Sequence, residues 1–360
     1  MINQKRLVKT FIDLVKIDSP SGEEILIAKE MAKRLKTLGG KVKFDSFGNV
    51  IAKFDGLGEP LMLNAHLDTV EPGRAIKPKI SGNFIKSDGS TIVGADDKAG
   101  LSIILEALVS VKEDKADHLP LEIVLTLGEE SGLFGATNLD YTKISSRQGV
   151  AFDGHGGVGN ITVSAPGLNR VDVTVIGRSA HAGVEPEKGI SAIEIASKII
   201  SGLNLGRIDE ETTANVGLIE GGSARNAVAE RVHFKGEIRS RDLKKLEKHA
   251  LHFRETADNV MVNFSEARLE FEIVSEAGPY SLAEDTSIVQ RAVELCKKLG
   301  IKPEVAPTGG LSDVNIFNTH GISVLDVGTG AHELHTTRET LNIKEFVEAA
   351  KFCYALIQER

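Results

Sequence analysis

The stretch LEIVLTLGEESG (residues 121–132) joins an apolar, β-branched run to two adjacent carboxylates, Glu129 and Glu130. Such a run is typical of a strand that is buried on both faces in a parallel sheet. In open α/β sheets, ligands bind in the crevice at the carboxyl ends of the strands. The stretch therefore predicts an α/β core in which Glu129 and Glu130 face a binding crevice.

Helix-like and strand-like segments alternate on both sides of this stretch. IAKEMAKRLKTLGG (residues 27–40) reads as a helix that ends at a glycine, and LSIILEALVSVK (residues 101–112) as a second helix. NVIAKF, PLMLNAHLD and QGVAFD read as strands. This alternation predicts a mixed sheet between layers of helices.

The pattern changes from Asn169 onward. RVDVTVIGR (residues 170–178) alternates strictly, and the region follows the order strand, helix, strand, strand, helix, strand, which is typical of a ferredoxin-like α+β domain. Beyond Ala277 the α/β pattern returns. We therefore predict a discontinuous core of residues 1–166 and 275–360, with a domain of residues 167–274 inserted into it.

Composition excludes several classes of function. The chain has 360 residues, 41% of them hydrophobic, and this length exceeds that of a usual single domain. The net charge of -8 without a basic block argues against nucleic-acid and membrane partners. No run resembles a signal peptide or a membrane span. The two cysteines, Cys296 and Cys353, lie on apolar faces of predicted helices, a position typical of free thiols in a reducing compartment. We therefore expect a cytoplasmic protein.

GHGGVG (residues 154–159) formally satisfies the dinucleotide fingerprint G-x-G-x-x-G. That fingerprint requires a helix to begin at the last glycine, so that its N-terminus can receive the pyrophosphate. Strand-forming residues and a proline follow instead, in NITVSAPG. We therefore expect a turn here and not the cofactor site of a nicotinamide-dependent oxidoreductase.

Side chains of the metal-ligand type stand at the ends of four segments: His66 and Asp68, Asp96 and Asp97, Glu129 and Glu130, and Asp153. Singly, each has a structural explanation, such as a turn or a helix cap. Together, the carboxylates would repel one another unless a cation neutralised them. Histidine and carboxylate ligands without a nearby cysteine indicate a divalent metal, zinc first, with manganese or cobalt as alternatives.

The spacing of these residues indicates distinct roles. His66 and Asp68 point the same way from an extended segment, so Asp68 can orient a metal-binding His66. Of the two adjacent glutamates, one can bind metal while the other acts as general base. A second imidazole can come from His332 or His335 in AHELHTTRE (residues 331–339), which follows the apolar strand ISVLDVG.

The series HLDTV, GADDKAG, GEESG, FDG and HTTRE, interrupted by the inserted domain, resembles the co-catalytic zinc peptidase family. This family includes peptidase T, carboxypeptidase G, succinyl-diaminopimelate desuccinylase and the aminoacylases. GADDKAG together with Asp153 is most similar to the peptidase T (tripeptide aminopeptidase) branch. The resemblance spans nearly the whole chain. It implies a zinc-exopeptidase-like core with an inserted lid and dimerisation domain, a homodimer, and hydrolysis of short peptides by a water that two metals activate.

The resemblance also implies a set of site residues. Asp96 would bridge two metals, one also held by His66 and Asp153, the other by Glu130 and His335, with Glu129 as general base and Asp68 orienting His66. His335 is preferred to His332 because the family's histidine stands four residues before a glutamate, here Glu339. Asp97 would then be a neighbour of the site and not a ligand.

In the inserted domain, His181 of GRSAHAG and Asn226 of GGSARNAV match positions that approach the substrate in relatives. Arg239 of GEIRSRD is a candidate for binding a substrate carboxylate, since a guanidinium offers a bidentate fork. A deacylase of N-acyl amino acids and a carboxypeptidase are the alternative activities on this scaffold. An inactive metal-dependent binding protein is a further alternative, against which the intact Glu129 argues.

Overall fold

The computed structural model describes residues 1–358, which form two units. The first consists of Met1–Ser164, Ser281–Thr308 and the chain from Ser312 onward; the second consists of Ala165–Tyr280 and Gly309–Leu311. The α-helices are α1 (Gln4–Val15), α2 (Ile25–Leu38), α3 (Ala95–Asp114), α4 (Phe134–Thr137), α5 (Ala192–Gly202), α6 (Leu243–Met261), α7 (Ser287–Lys298), α8 (Asp313–Thr319) and α9 (Ile343–Gln358). The strands are β1 (Lys41–Phe44), β2 (Val50–Phe54), β3 (Leu61–His66), β4 (Lys79–Ser81), β5 (Phe84–Lys86), β6 (Leu121–Thr126), β7 (Gln148–His155), β8 (Asn160–Ala165), β9 (Gly167–Ile176), β10 (Gly206–Arg207), β11 (Thr212–Gly221), β12 (Arg231–Ser240), β13 (Arg268–Ala277), β14 (Tyr280–Ser281), β15 (Glu304–Pro307), β16 (Ser323–His332) and β17 (Thr340–Asn342).

The sheet of the first unit has the strand order β1-β2-β6-β3-β7-β16-β17-β5-β4, with β8, β14 and β15 attached beside β16. β3 is parallel to β6 and to β7, and β16 is parallel to β7, whereas β2 is antiparallel to β6. The four central strands β6, β3, β7 and β16 therefore bring their carboxyl ends to the same edge of the sheet.

Helices pack against this sheet, and the hydrophobic core lies between the helices and the sheet. α3 packs on β3, β7 and β16, and α1 and α9 pack on α3. Nearly every residue of α3 from Ala99 to Leu108 is buried, as expected of a helix enclosed on all sides. Phe11 of α1 meets Phe346 of α9 edge to face, with ring centroids 5.8 Å apart. The predicted fold class, an α/β core with a mixed sheet, is confirmed.

The local signals of the sequence explain the elements near the crevice. β6 is buried at all six positions, which accounts for the apolar run. α2 ends at Leu38 because Gly39 adopts a left-handed conformation with φ of 109°. GHGGVG comprises the last two residues of β7 and the four residues that join β7 to β8, so it contains the predicted turn from strand to strand.

The second unit is an antiparallel sheet with the order β10-β11-β12-β9-β13. α5 and α6 pack on β12 and on each other. Val171, Val173, Ile195, Phe234 and Phe253 are among the side chains that fill a separate core. The predicted order of strands and helices is present, with the two-residue strand β10 as an unpredicted addition.

Within residues 1–358, no helix combines the length and the apolar composition that crossing a membrane requires.

Candidate metal centre

The central strands of the first unit carry the candidate ligands to one edge of the sheet. β3 ends at His66, the turn after β6 carries Glu129 and Glu130, and Asp153 lies near the end of β7. The loop after β16 carries His335. Asp96 reaches the same place from the start of α3, and so the convergence that the strand ends predict is present.

A first cluster forms around the buried imidazole of His66. Its Nε2 lies 2.7 Å from Oδ1 of Asp96 and 3.4 Å from Oδ1 of Asp153. These three side chains offer ligand atoms that all lie within 4.8 Å of one another. That spacing suits one metal ion bound by one nitrogen and two carboxylate oxygens.

A second cluster forms on the other side of Asp96. Nε2 of His335 lies 3.1 Å from Oδ2 of Asp96 and 3.0 Å from Oε1 of Glu130. This Oε1 is buried and accepts no hydrogen bond from the residues that the structure describes. A buried acceptor without a donor beside two other ligand atoms fits a metal ligand. Asp96 thus presents one oxygen to each cluster.

The charges in both clusters favour bound cations. The carboxylates of Asp96 and Glu130, both close to its ring, raise the pKa of His335 to about 10. Burial opposes a charge on His66, but Asp153, Asp68 and Asp96 outweigh it and hold the pKa of His66 well above its usual range. Burial raises the pKa of Glu130 and of Asp153. The site therefore attracts positive charge, and its nitrogen and oxygen donors fit two divalent metals.

Asp68 connects the first cluster to the turn that carries the glutamates. Its Oδ1 lies 3.3 Å from Nδ1 of His66, and its orienting role stays a prediction. It also accepts hydrogen bonds from the backbone N–H groups of Glu129 (3.0 Å) and Glu130 (3.1 Å). Ser21 Oγ donates a further bond at 2.6 Å. Asp68 therefore holds the backbone of the turn and faces the imidazole of His66 at ion-pair distance.

Glu129 lies beside both clusters but is a member of neither. It groups with His66 and Glu130, and it is almost fully buried. Burial raises the pKa of Glu129 well above its ordinary value. A buried carboxyl group with a raised pKa next to a metal centre is well suited to accept and release a proton.

The alternative histidine, His332, has another partner. Its Nε2 lies 2.6 Å from Oε2 of Glu345 on α9. Among the candidate metal groups found in residues 1–358, His335 occurs and His332 does not. The geometry therefore favours His335.

The predicted substrate residues lie in the second unit. His181 and Asn226 are on adjoining loops, since the N–H of Ala182 donates to the carbonyl of Asn226 at 2.9 Å. Arg239 donates to Glu237 at 3.0 and 3.1 Å and to the carbonyl of Gly309 at 3.1 Å. A substrate carboxylate at Arg239 would compete with Glu237, and the three binding roles stay predictions.

Three carboxylates around the clusters received no role from the sequence. Each accepts a hydrogen bond from the backbone N–H of a candidate ligand: Asp97 from His66 (3.1 Å), Asp326 from Asp153 (3.0 Å) and Glu339 from Asp96 (3.0 Å). A signal existed for Asp326, because a charged residue in the middle of the apolar ISVLDVG is unusual. For Glu339 the only signal was its fixed spacing from His335.

The chain is similar to known peptidases over nearly its whole length. Residues 163–265 match the model of a peptidase dimerisation domain, and residues 49–164 match that of peptidase family M28. The aminopeptidase PepT from Bacillus cereus is 38% identical, with 99% of this chain and 98% of that chain covered and a TM-score of 0.93. A tripeptidase from Staphylococcus aureus is 36% identical, with the same coverage and a TM-score of 0.95. The Bacillus subtilis protein YqjE is 40% identical over 100% of this chain and 99% of its own length.

The fold, the two clusters of candidate metal ligands and the similarity to known peptidases together define a metallopeptidase that carries a dimerisation domain. The similarity to the two solved enzymes extends over nearly the full length of each chain. The chain belongs to the peptidase T-like family of metallopeptidases, as the sequence motifs implied.

Proposed function

We propose that this peptidase is an aminopeptidase that removes the N-terminal residue of short peptides, tripeptides in particular. The observation that carries the proposal is the pair of clusters that share Asp96, with Glu129 beside them. Full-length similarity to an aminopeptidase and to a tripeptidase supports the choice of substrate.

The residues present would hold two metals. The first metal would be bound by His66, Asp96 and Asp153, and the second by Asp96, Glu130 and His335. Zinc is the first choice for this donor set, with manganese or cobalt as alternatives. Bound there, the metals would polarise the scissile carbonyl and promote deprotonation of water.

The chain's own residues would manage the proton. Glu129 would take a proton from the attacking water as the new C–O bond forms. It would return that proton to the leaving nitrogen as the C–N bond breaks, so that Glu129 ends the cycle ionised. Asp68 holds the backbone of Glu129 by accepting a hydrogen bond from its N–H. His181, Asn226 and Arg239 are the proposed substrate contacts.

The cysteines support a cytoplasmic location. Cys296 and Cys353 are both free and buried. Burial raises the pKa of the Cys296 thiol to about 11, which disfavours the reactive thiolate. Inert free thiols are typical of proteins that work in a reducing compartment.

Hydrolysis of a small substrate panel by metal-stripped enzyme tests the proposed activity. The panel contains tripeptides, dipeptides, N-acetyl amino acids, C-terminal glutamyl peptides and a tripeptide with an acetylated N-terminus. With zinc, manganese or cobalt restored, we expect release of the N-terminal residue from free tripeptides and little cleavage of the acetylated control. Faster deacylation of N-acetyl amino acids would move the assignment to the acylases. No turnover with metal bound would indicate a binding protein.

The second unit has an edge suited to a homodimer. β10 pairs only with Thr213 and Ala214 of β11, so residues 215–221 pair with no strand on that side within the described chain. This open edge carries Leu218 and Ile219, which are 39% and 54% exposed. The other edge strand, β13, exposes alternating charged residues, which discourage strand pairing. We therefore propose that β11 forms the dimer contact.

Charge at the β11 edge should separate the subunits. A double substitution, Leu218→Lys with Ile219→Lys, places like charges across the contact, and the dimer mass measured by light scattering should fall to that of a monomer. Val274→Lys is the matched control, because Val274 is 38% exposed on the opposite edge strand. The control should remain dimeric. A dimer that survives the double substitution would exclude this edge as the interface.

A further inference from the structure

Glu339 is a buried carboxylate that holds the segment before the shared ligand. Its Oε2 accepts hydrogen bonds from the backbone N–H groups of Val93 and Gly94, both at 2.8 Å, and its Oε1 accepts one from Asp96 at 3.0 Å. Glu339 is 1% exposed, so water has little access to replace these bonds. The three N–H groups depend on this one side chain for their acceptors.

Helix α3 cannot fix this segment by itself. Asp96 (φ −84°, ψ 106°) and Asp97 (φ −119°, ψ 38°) depart from helical geometry, and Gly94 is left-handed with φ of 71°. The first N–H groups of a helix have no acceptor within the helix and need a cap. Glycine at position 94 has no side chain to provide one. Glu339, from a segment far along the chain, supplies that cap.

One loop therefore holds Asp96 at two points. His335 faces the side-chain oxygen Oδ2 at 3.1 Å, while Glu339 accepts the backbone N–H. The loop is itself closed by hydrogen bonds from the N–H of Glu339 to the carbonyl of Thr336 (3.0 Å) and from Oγ1 of Thr336 to the carbonyl of Glu333 (2.8 Å). Fixing both ends of Asp96 keeps one of its oxygens directed at each cluster.

Glu339 differs from the candidate ligands in its contacts. Both of its oxygens accept backbone hydrogen bonds, and it is absent from the metal groups found among residues 1–358. The buried Lys98, which donates to the carbonyl of Ile17 at 2.7 Å, attracts its charge. These contacts suit a residue that acts through its neighbours.

We propose that Glu339 is a positioning residue that sets the affinity of both metal positions by holding the backbone of Asp96. Because Asp96 is taken as a ligand of both metals, this role rests on the proposed function. Partners that hold metal ligands in place typically contribute a factor of about 10 to 100 in metal affinity.

Zinc titration of metal-stripped Glu339→Gln, against a competing chromophoric chelator and without substrate, tests this role. Glutamine offers one acceptor oxygen in place of two, so at least one of the three N–H groups loses its partner. We expect zinc binding to weaken about 10- to 100-fold at both positions. Affinity equal to wild type would overturn the proposal. Should this variant not fold, Glu339→Asp, which keeps the charge and shortens the reach, should show the same direction of change, and wild-type affinity would again overturn it.

Glu122→Gln is the matched control for general loss of stability. Glu122 is 2% exposed and accepts hydrogen bonds from the backbone N–H groups of Ser145 (2.9 Å) and Ser146 (2.8 Å) at the amino end of β6. This variant should lower the Tm of the metal-free protein, as Glu339→Gln should, while its zinc affinity stays at the wild-type value. An equal loss of zinc affinity in Glu122→Gln would show that instability alone explains the effect, and it would overturn the positioning role.

Asp96→Ala in the same titration separates this role from the proposed function. If Asp96→Ala loses zinc and Glu339→Gln does not, the positioning role fails and the metal centre stands. If Asp96→Ala retains both ions, the metal centre fails and the role of Glu339 falls with it.

Discussion

Glu129→Gln should lower kcat by about 10²- to 10⁴-fold, the usual contribution of a general base, while both metals stay bound. Glutamine fills nearly the same volume and leaves the backbone bond to Asp68 intact, but its amide cannot take a proton from water. Because Glu129 is not a member of either cluster that shares Asp96, its substitution removes no proposed ligand. Steady-state kinetics on a tripeptide, with metal content measured by mass spectrometry, checks both parts.

Glu130→Gln is the natural control for that result, since it changes the adjacent residue by the same atoms. It should lose metal from the cluster with His335, because Oε1 of Glu130 is the buried acceptor there. Ordinary turnover in Glu129→Gln would remove the general-base assignment. Loss of metal in Glu129→Gln, with metal retained in Glu130→Gln, would reverse the two roles.

Asp96→Ala should empty both metal positions and abolish hydrolysis at any practical metal concentration. One oxygen of Asp96 lies 2.7 Å from His66 and the other 3.1 Å from His335, so a single truncation removes a ligand from each cluster. Equilibrium dialysis with zinc, followed by assay of the dialysed protein, measures both effects.

His335→Ala provides the comparison, because His335 belongs to one cluster only. It should lose one metal and keep the other on His66, Asp96 and Asp153. If Asp96→Ala also loses just one metal, then Asp96 is not the shared ligand and the two clusters are independent.

The positions of the candidate ligands could be predicted because they follow from local patterns. A buried strand has a recognisable composition, and side chains at the ends of parallel strands must meet, which brought Glu129, Glu130 and Asp153 into one prediction. The assignment of each ligand to a cluster needed family resemblance, since spacing alone left His332 and His335 open. The structure gives the physical reason for the choice, because His332 pairs with Glu345.

The contacts that Asp97, Asp326 and Glu339 make with these ligands could not be predicted. Glu339 and Asp96 are separated by 243 positions, and Asp326 and Asp153 by 173. Such contacts depend on strand register, and the pairing of β16 with β7 is irregular just after Asp326. An irregularity of this kind re-aims a side chain in a way that no periodicity reveals. The same limit applies to Asp97, whose bond to the N–H of His66 depends on the backbone conformation at the start of α3.

The discontinuous first unit has a consequence for synthesis on the ribosome. All of the second unit except Gly309–Leu311 is contiguous, so residues 165–280 can begin to fold as soon as they emerge. β7 can pair with β3 at once, but its other neighbour, β16, is translated more than 160 residues later. His335 and Glu339 arrive at the same late stage, so the nascent chain cannot assemble the proposed ligand set until the loop after β16 is made. A translation product that stops before β16 would lack the proposed ligand His335 and should therefore be inert toward the peptides around it.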